Sequence, residues 1–256
     1  MSAHILAVTN QKGGVGKTTT AINVAAGLAH LEQRVLLIDL DPQGNASMGS
    51  GIDKNHLERS IYHVLLGQAT AEQVRQPSSS GYDILPTNRD LAGAEVELVS
   101  AKRREFLLAE ALAPLSKDYD YILIDCPPAL NLLTVNALVA AHAVLIPMQC
   151  EYFALEGLSD LVNTVRLVKA RLNPRIEIEG LLRVMYDPRN LLGQQVSDQL
   201  KRHFGRKVYD SVIPRNIRLA EAPSHGLAVI GYDRGSRGAQ AYLQLAEEML
   251  RRRLGA

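Results

Sequence analysis

Short, nearly unbroken apolar runs alternate along this chain with longer stretches in which apolar residues recur every three or four positions. The runs Ile5–Val8, Val35–Ile38, Tyr121–Ile124 and Ala143–Ile146 show no polar alternation. A strand without a polar side must be covered on both faces, as in a parallel sheet layered between helices. Ile84 with Leu85, Ile178–Val184 and Val208–Ile213 are weaker strand candidates. Helical periodicity covers Thr18–Leu31, Arg103–Leu115, Asn131–Ala141, Leu155–Leu172, Leu192–Phe204 and Arg237–Leu254. This alternation predicts an α/β fold, a doubly wound and mostly parallel sheet flanked by helices. Ligands of such sheets bind beyond the carboxyl ends of the strands. Pro77-Ser78-Ser79-Ser80-Gly81 reads as a loop. No repeat or low-complexity linker divides the chain, so residues 1–256 are expected to form a single domain.

The most specific local pattern sits between the first strand and the first helix. Gln11-Lys12-Gly13-Gly14-Val15-Gly16-Lys17-Thr18-Thr19-Thr20 has the composition of a phosphate-binding loop. Glycines allow backbone N–H groups to turn inward around phosphates, and the helix start adds unpaired donors. Lys17 is placed to reach the β- and γ-phosphates, and the Thr18 hydroxyl to ligate Mg²⁺. The usual spacing puts a glycine at position 11, where this chain has Gln11, and Lys12 adds a second cation. Lys12 has two readings: a solvated loop lysine, or a residue that reaches the phosphates of a second copy, as an arginine finger does in trans.

Lys12-Gly13-Gly14-Val15-Gly16-Lys17-Thr18-Thr19 resembles the deviant Walker A motif of the ParA/MinD group, which includes Soj-type partitioning ATPases and nitrogenase iron protein. The resemblance runs nearly end to end. It implies a P-loop NTPase with ATP and Mg²⁺ as cofactors, an ATP-dependent homodimer, and Lys12 as the lysine that acts in trans.

Two strand ends supply carboxylates. Val35–Asp39 runs into Leu40-Asp41-Pro42-Gln43-Gly44-Asn45, and Asp41 there either orients the attacking water or is only the start of an Asp-Pro turn. In the family this segment resembles switch I, which implies that Asp41 is the hydrolytic aspartate. Tyr121-Ile122-Leu123-Ile124-Asp125-Cys126-Pro127-Pro128 follows Walker B logic, with Asp125 as the Mg²⁺ residue, the alternative being a helix cap. The resemblance further implies that Pro214 and Asn216, in Ile213-Pro214-Arg215-Asn216, lie near adenine. It also implies that Glu151, in Glu151–Leu158, approaches the nucleotide across the dimer.

Composition narrows the class. Hydrophobic residues make up 46% and charged residues 21%, as in a globular protein. No apolar run approaches the ~18 residues of a membrane-spanning helix, and Met1-Ser2-Ala3-His4 shows no secretory signal, so a cytoplasmic location is expected. Cys126 and Cys150 lack the spacing of a zinc site or disulfide framework and do not match a bridging iron–sulfur cluster.

The net charge of +1 conceals an asymmetry: residues 183–256 hold 13 Lys and Arg against 7 Asp and Glu, and the remainder 15 against 20. Arg189, Lys201, Arg202, Arg206, Lys207, Arg215, Arg218, Arg234 and Arg237 form either a scattered solvated surface or a sequence-blind contact for duplex phosphates. Arg189 and Arg218 match positions that bind non-specific DNA in Soj-type proteins. The resemblance implies double-stranded DNA and a ParB-type centromere-binding protein as partners, a nucleoid-associated location and partner-stimulated hydrolysis. The alternative is a MinD-like membrane-cycling ATPase. The tail Ala246–Ala256 is basic but has no aromatic residue, so no membrane association is expected.

Overall fold

The computed structural model describes residues 2–255, so the first and last residues of the expected 1–256 unit lie outside the described residues. Eight strands form one sheet: β1 (His4–Val8), β2 (Val35–Asp39), β3 (Gln76–Pro77), β4 (Asp83–Leu85), β5 (Tyr121–Asp125), β6 (Ala143–Met148), β7 (Glu177–Tyr186) and β8 (Val208–Pro214). The helices are α1 (Lys17–His30), α2 (Asn45–Gly49), α3 (Ile61–Leu65), α4 (Ala71–Val74), α5 (Leu91–Leu98), α6 (Leu107–Leu112), α7 (Leu132–Ala140), α8 (Ala154–Arg171), α9 (Leu191–Phe204), α10 (Ile217–Glu221), α11 (Val229–Tyr232) and α12 (Arg237–Leu254). Strand order is β3-β4-β2-β5-β1-β6-β7-β8, parallel throughout except β3 on β4. The expected doubly wound α/β fold is what forms.

The four unbroken apolar runs are the sheet's centre, β2-β5-β1-β6. Their side chains alternate between two cores. Ile5, Ala7, Leu36, Ile38, Ile122 and Ile124 face one, and Leu6, Val8, Val35, Leu37, Tyr121 and Leu123 face the other. Both cores need apolar residues, which is why these strands lack a polar side. The second core is closed by α1, α11 and α12. Gly27 of α1 lies against α12, where an added Cβ would come within 3.0 Å of the Ala246 Cβ, so small residues set that close approach.

The ends of the helices depart from the sequence reading in instructive places. The expected helix at Arg103–Leu115 shortens to α6, because Arg103 adopts a left-handed φ of 53° and Pro114 opens a 3₁₀ turn. The expected loop at Pro77–Gly81 is partly strand: Pro77 pairs with Asp83 at the sheet edge, where a missing N–H is tolerated.

Gly180 and Gly157 make a contrasting pair. A Cβ on Gly180 would overlap the buried Tyr209 ring and lie 3.0 Å from the Lys207 carbonyl, whereas one on Gly157, inside α8, meets nothing within 4 Å. Gly180→Ala is expected to lower stability by about 1–3 kcal/mol through overpacking. Gly157→Ala should raise it by roughly 0.5–1 kcal/mol through helix propensity. Urea unfolding of the two variants checks the opposite signs.

Candidate active site

The strand order reverses around β1, with β5 on one side and β6 on the other. The loop leaving β1 therefore opens at the crevice that this topology creates. Gly14 and Gly16 have φ of 73° and 76°, and nothing lies within 4 Å of a Cβ built on Gly13 or Gly14. Gly16 is the N-cap of α1 and supplies no side-chain acceptor. The starts of α7, α9 and α12 are closed by the side chains of Asn131, Asn190 and Ser236. The first turn of α1, like that of α8, has no side-chain cap, and its unpaired N–H groups suit an anion.

The two loop lysines have opposite surroundings. Lys17 is buried, and its Nζ donates to the Lys12 carbonyl at 3.1 Å. Burial pulls its pKa down, against Asp125, Cys126 and Asp41, which pull it up. Lys12 is exposed, and its Nζ lies 2.6 Å from Glu151 Oε2, with both side chains about half open to solvent. Glu151 and Lys12 thus meet within one chain.

Carboxylates crowd the strand ends opposite Lys17. Asp39 and Asp125 are register partners on β2 and β5, and both are fully buried. Asp39 accepts from the Ser47 backbone N–H at 2.7 Å, the Ser47 hydroxyl at 2.8 Å and the Asp41 N–H at 3.2 Å. Burial nonetheless raises its pKa to about 7. Among the described residues, neither oxygen of Asp125 has a hydrogen-bond partner. Its pKa is raised well above the carboxylate range, by burial first and the Asp39 charge second, with Thr18 and Lys17 opposing. Asp41 is half-buried, and its carboxylate accepts from the Gln43 N–H at 3.0 Å. Asp125 and Asp41 both act on the buried Lys17 ammonium, and a buried carboxylate beside a threonine hydroxyl suits a hard divalent cation. The donor set therefore fits Mg²⁺ bound to a polyphosphate.

A cavity of about 410 Å³ adjoins the loop, lined by Gly16, Thr19, Val184, Met185, Pro214 and Asn216 among others. Pro214 and Asn216 thus lie beside Thr19 despite the distance in sequence. Asn216 Oδ1 also caps α10 through the Arg218 N–H at 2.9 Å. Met185 was not singled out by sequence. It holds a left-handed φ of 50°, and its sulfur accepts from Gln149 Nε2 at 2.8 Å. Asp39 was equally silent; its only sequence signal is that it ends an apolar strand as Asp125 does.

The expected DNA residues are exposed but already paired. Asp187 receives two bonds from the Arg189 guanidinium, at 3.0 and 2.9 Å. Arg218 lies 2.7 Å from Glu221 and 3.3 Å from Asp233. Arg189, Arg215 and Arg237 line one cavity of about 510 Å³, and Arg215 and Arg237 make no ion pair among the described residues.

A glycine cradle at an uncapped helix start, beneath the switch point of a parallel sheet, defines a P-loop nucleotide-binding protein. Residues 3–178 match a family described as "AAA domain". The chain is 54% identical over 246 residues to the sporulation initiation inhibitor protein Soj of Bacillus subtilis, covering 96% of this chain and 97% of Soj. It is 51% identical over 258 residues to the chromosome partitioning protein ParA of Caulobacter vibrioides, covering 98% and 97%. A solved structure of cobyrinic acid a,c-diamide synthase from Mycobacterium smegmatis, with bound ATP analogue and magnesium, superposes with a TM-score of 0.87 at 38% identity, covering 98% of this chain and 96% of the other. The chain belongs to the ParA/Soj family of partitioning ATPases.

Because Asp125 is buried without a partner, Asp125→Asn is expected to stabilise the protein by about 1–3 kcal/mol when divalent ions are chelated. The sign with pH follows from the raised folded-state pKa. Ionisation costs nothing below the unfolded value near 3.9, and the cost grows as pH climbs toward the folded value. Thermal melts in EDTA should therefore show a larger gain for Asp125→Asn at pH 8 than at pH 5. An equal gain at both would contradict the buried, unpaired carboxylate.

Proposed function

We propose that this chain is an ATP-dependent DNA-partitioning ATPase, acting as one ATPase domain in the cytoplasm at the nucleoid. In this reading it hydrolyses ATP to ADP and phosphate, slowly and under stimulation by a ParB-type partner. The observation that carries the reading is the opposite placement of the two loop lysines. Lys17 is turned in among the carboxylates, and Lys12 is turned out toward solvent.

ATP is the substrate. Its phosphates are held by the backbone N–H groups of Gly13, Gly14, Val15 and Gly16 and by Lys17, with Thr19 at the helix start. Its base enters the cavity walled by Pro214 and Asn216. Thr18 and Asp125 hold Mg²⁺, which supplies positive charge to the phosphate oxygens. Asp41 orients the attacking water. Lys12 leaves Glu151 and reaches the phosphates of a second copy, so ATP closes a sandwich dimer. The pair it leaves is exposed and worth only about 0–1 kcal/mol. The dimer doubles the basic surface, and its avidity favours non-specific duplex DNA. There phosphates displace Asp187 from Arg189, and Glu221 and Asp233 from Arg218.

Two rivals are less well supported. A MinD-like membrane cycle needs an amphipathic segment free to leave the protein. The apolar residues of α12, including Tyr242, Leu245, Ala246 and Met249, are buried in the second core. Among the described residues no helix is long and apolar enough to cross a membrane. A biosynthetic role like that named for the Mycobacterium structure rests on 38% identity, against 54% for Soj.

Lys17→Ala is expected to abolish ATP binding in calorimetry; an unchanged affinity would remove the loop assignment. Asp41→Ala should bind ATP and accumulate as dimer because hydrolysis stalls, and normal turnover would exclude Asp41 from the chemistry. Duplex DNA binding should require ATP rather than ADP. Arg218→Glu should abolish it while dimerisation persists. Retained binding with an unchanged salt slope, where each lost phosphate contact lowers the slope by about 0.9, would argue against Arg218.

A further inference from the structure

The turn that carries Asp41 is pinned at several points, and the pins converge on one buried hydroxyl. Residues 41–44 lead from the end of β2 into α2. Within the turn, the Gly44 N–H donates to the Asp41 carbonyl at 2.8 Å and the Gln43 N–H to the Asp41 carboxylate at 3.0 Å. These local bonds fix the shape of the turn but not its place on the sheet. Its place is set by Asp39 before it and Ser47 after it. Asp39 Oδ1 accepts from the Asp41 N–H, and Asp39 Oδ2 accepts both the backbone N–H and the hydroxyl of Ser47. One buried carboxylate therefore holds both ends of the turn.

Ser47 carries the restraint one strand further. Its Oγ donates to Asp39 and accepts from the Thr87 N–H at 2.9 Å. Thr87 lies just beyond β4, the sheet neighbour of β2. The Thr87 carbonyl also presses on the turn, since a Cβ built on Gly44 would come within 2.9 Å of it. Ser47 and Thr87 are both fully buried, where a lost hydrogen bond is not replaced by bulk water. A hydroxyl can donate and accept at once, and Ser47 uses both capacities. A group needed only to satisfy Asp39 would require the donor alone.

We propose that Ser47 is a positioning residue for ATP hydrolysis: its hydroxyl ties the ends of β2 and β4 together and so holds Asp41 where the attacking water is oriented. The inference rests on the role proposed above for Asp41 and names what aims that residue. Among the described residues, Ser47 makes no hydrogen bond to the phosphate loop. Loss of its hydroxyl therefore separates hydrolysis from binding. The phosphates stay in their cradle, while Asp41 drifts from the geometry that attack requires, and a small misplacement is enough to slow the reaction.

The test compares calorimetric ATP affinity with steady-state hydrolysis for the parent, Ser47→Ala, Ser47→Cys, Asp41→Ala and the double variant Asp41→Ala with Ser47→Ala. We expect kcat of Ser47→Ala to fall about ten- to a hundredfold with ATP affinity unchanged. Ser47→Cys fills the same space with a weak donor and weak acceptor, so its kcat should fall as well. If the alanine variant does not fold, the cysteine variant decides. The losses should not add: Ser47→Ala should take nothing further from the residual turnover of Asp41→Ala, because Ser47 acts through that residue. Parental kcat in Ser47→Cys would show that volume rather than bonding matters and overturn the inference. A parallel loss of ATP affinity, or a further loss in the double variant, overturns it too. If Asp41→Ala hydrolyses ATP at the parental rate, the reading of Asp41 falls and this inference with it. If Asp41→Ala stalls while Ser47→Ala keeps the parental rate, this inference alone falls.

Discussion

The structure depends on an unbalanced charge held inside the carboxyl edge of its sheet. The parallel register of β2 and β5 sets Asp39 and Asp125 side by side in the interior. Asp41 lies just beyond, and the buried Lys17 ammonium is acted on by Asp125 and Asp41. Ser47 satisfies Asp39, whereas among the described residues Asp125 has only the Thr18 hydroxyl and Lys17 to oppose its burial. A buried carboxylate without a partner is costly, and a fold selected for stability alone would replace it. The site is therefore destabilised locally and supported by two well-filled cores, the usual relation between a functional site and its scaffold. A divalent cation offsets that excess of negative charge.

The cradle depends on the same scaffold. Gly14 and Gly16 occupy backbone conformations that residues with a Cβ rarely adopt, and Gly16 leaves α1 without a side-chain cap. The helix tolerates that open end because its flank is fixed elsewhere. The Thr20 hydroxyl meets the Tyr242 hydroxyl at 3.1 Å, Asn23 Oδ1 accepts from the Val229 N–H at 2.8 Å, and Gly27 admits α12. The chain's last helix thus holds the first in place, so the phosphate loop is aimed by residues more than two hundred positions away.

The sheet's centre was legible because its strands lack a polar side, and the long helices because their apolar residues recur at helical spacing. α2–α5 were not legible: with four to eight residues each, they are too short for periodicity to show, and tertiary contacts decide them. The helix expected over Arg103–Leu115 is shorter than its pattern because Arg103 is left-handed at one end and Pro114 opens a 3₁₀ turn at the other. At the site, Lys12–Thr19 could be read directly, since glycines and a helix start are local features. Asp39 and Met185 could not. Asp39 matters through its register with Asp125, and Met185 through a backbone strain that no residue type announces. The arginines were legible as charge but not as partners. Sequence does not reveal that Asp187 sits against Arg189, or Glu221 and Asp233 against Arg218.

In the proposed dimer, the two loop lysines would place nucleotide binding and association in one equilibrium. Lys17 sits in the interior, where the proposal gives it the phosphates of its own chain. Lys12 is held at the surface by an exposed carboxylate, a contact too weak to oppose a triphosphate presented by a second copy. If the terminal phosphate strengthens dimerisation, linkage requires dimerisation to strengthen ATP binding by the same factor. In the proposed dimer, ADP would lack the group that draws Lys12 away from Glu151, and would leave that coupling unused. Tight ATP binding alone does not make a switch. What does is a differential interaction with the terminal phosphate, the role that the proposed dimer assigns to the outward lysine.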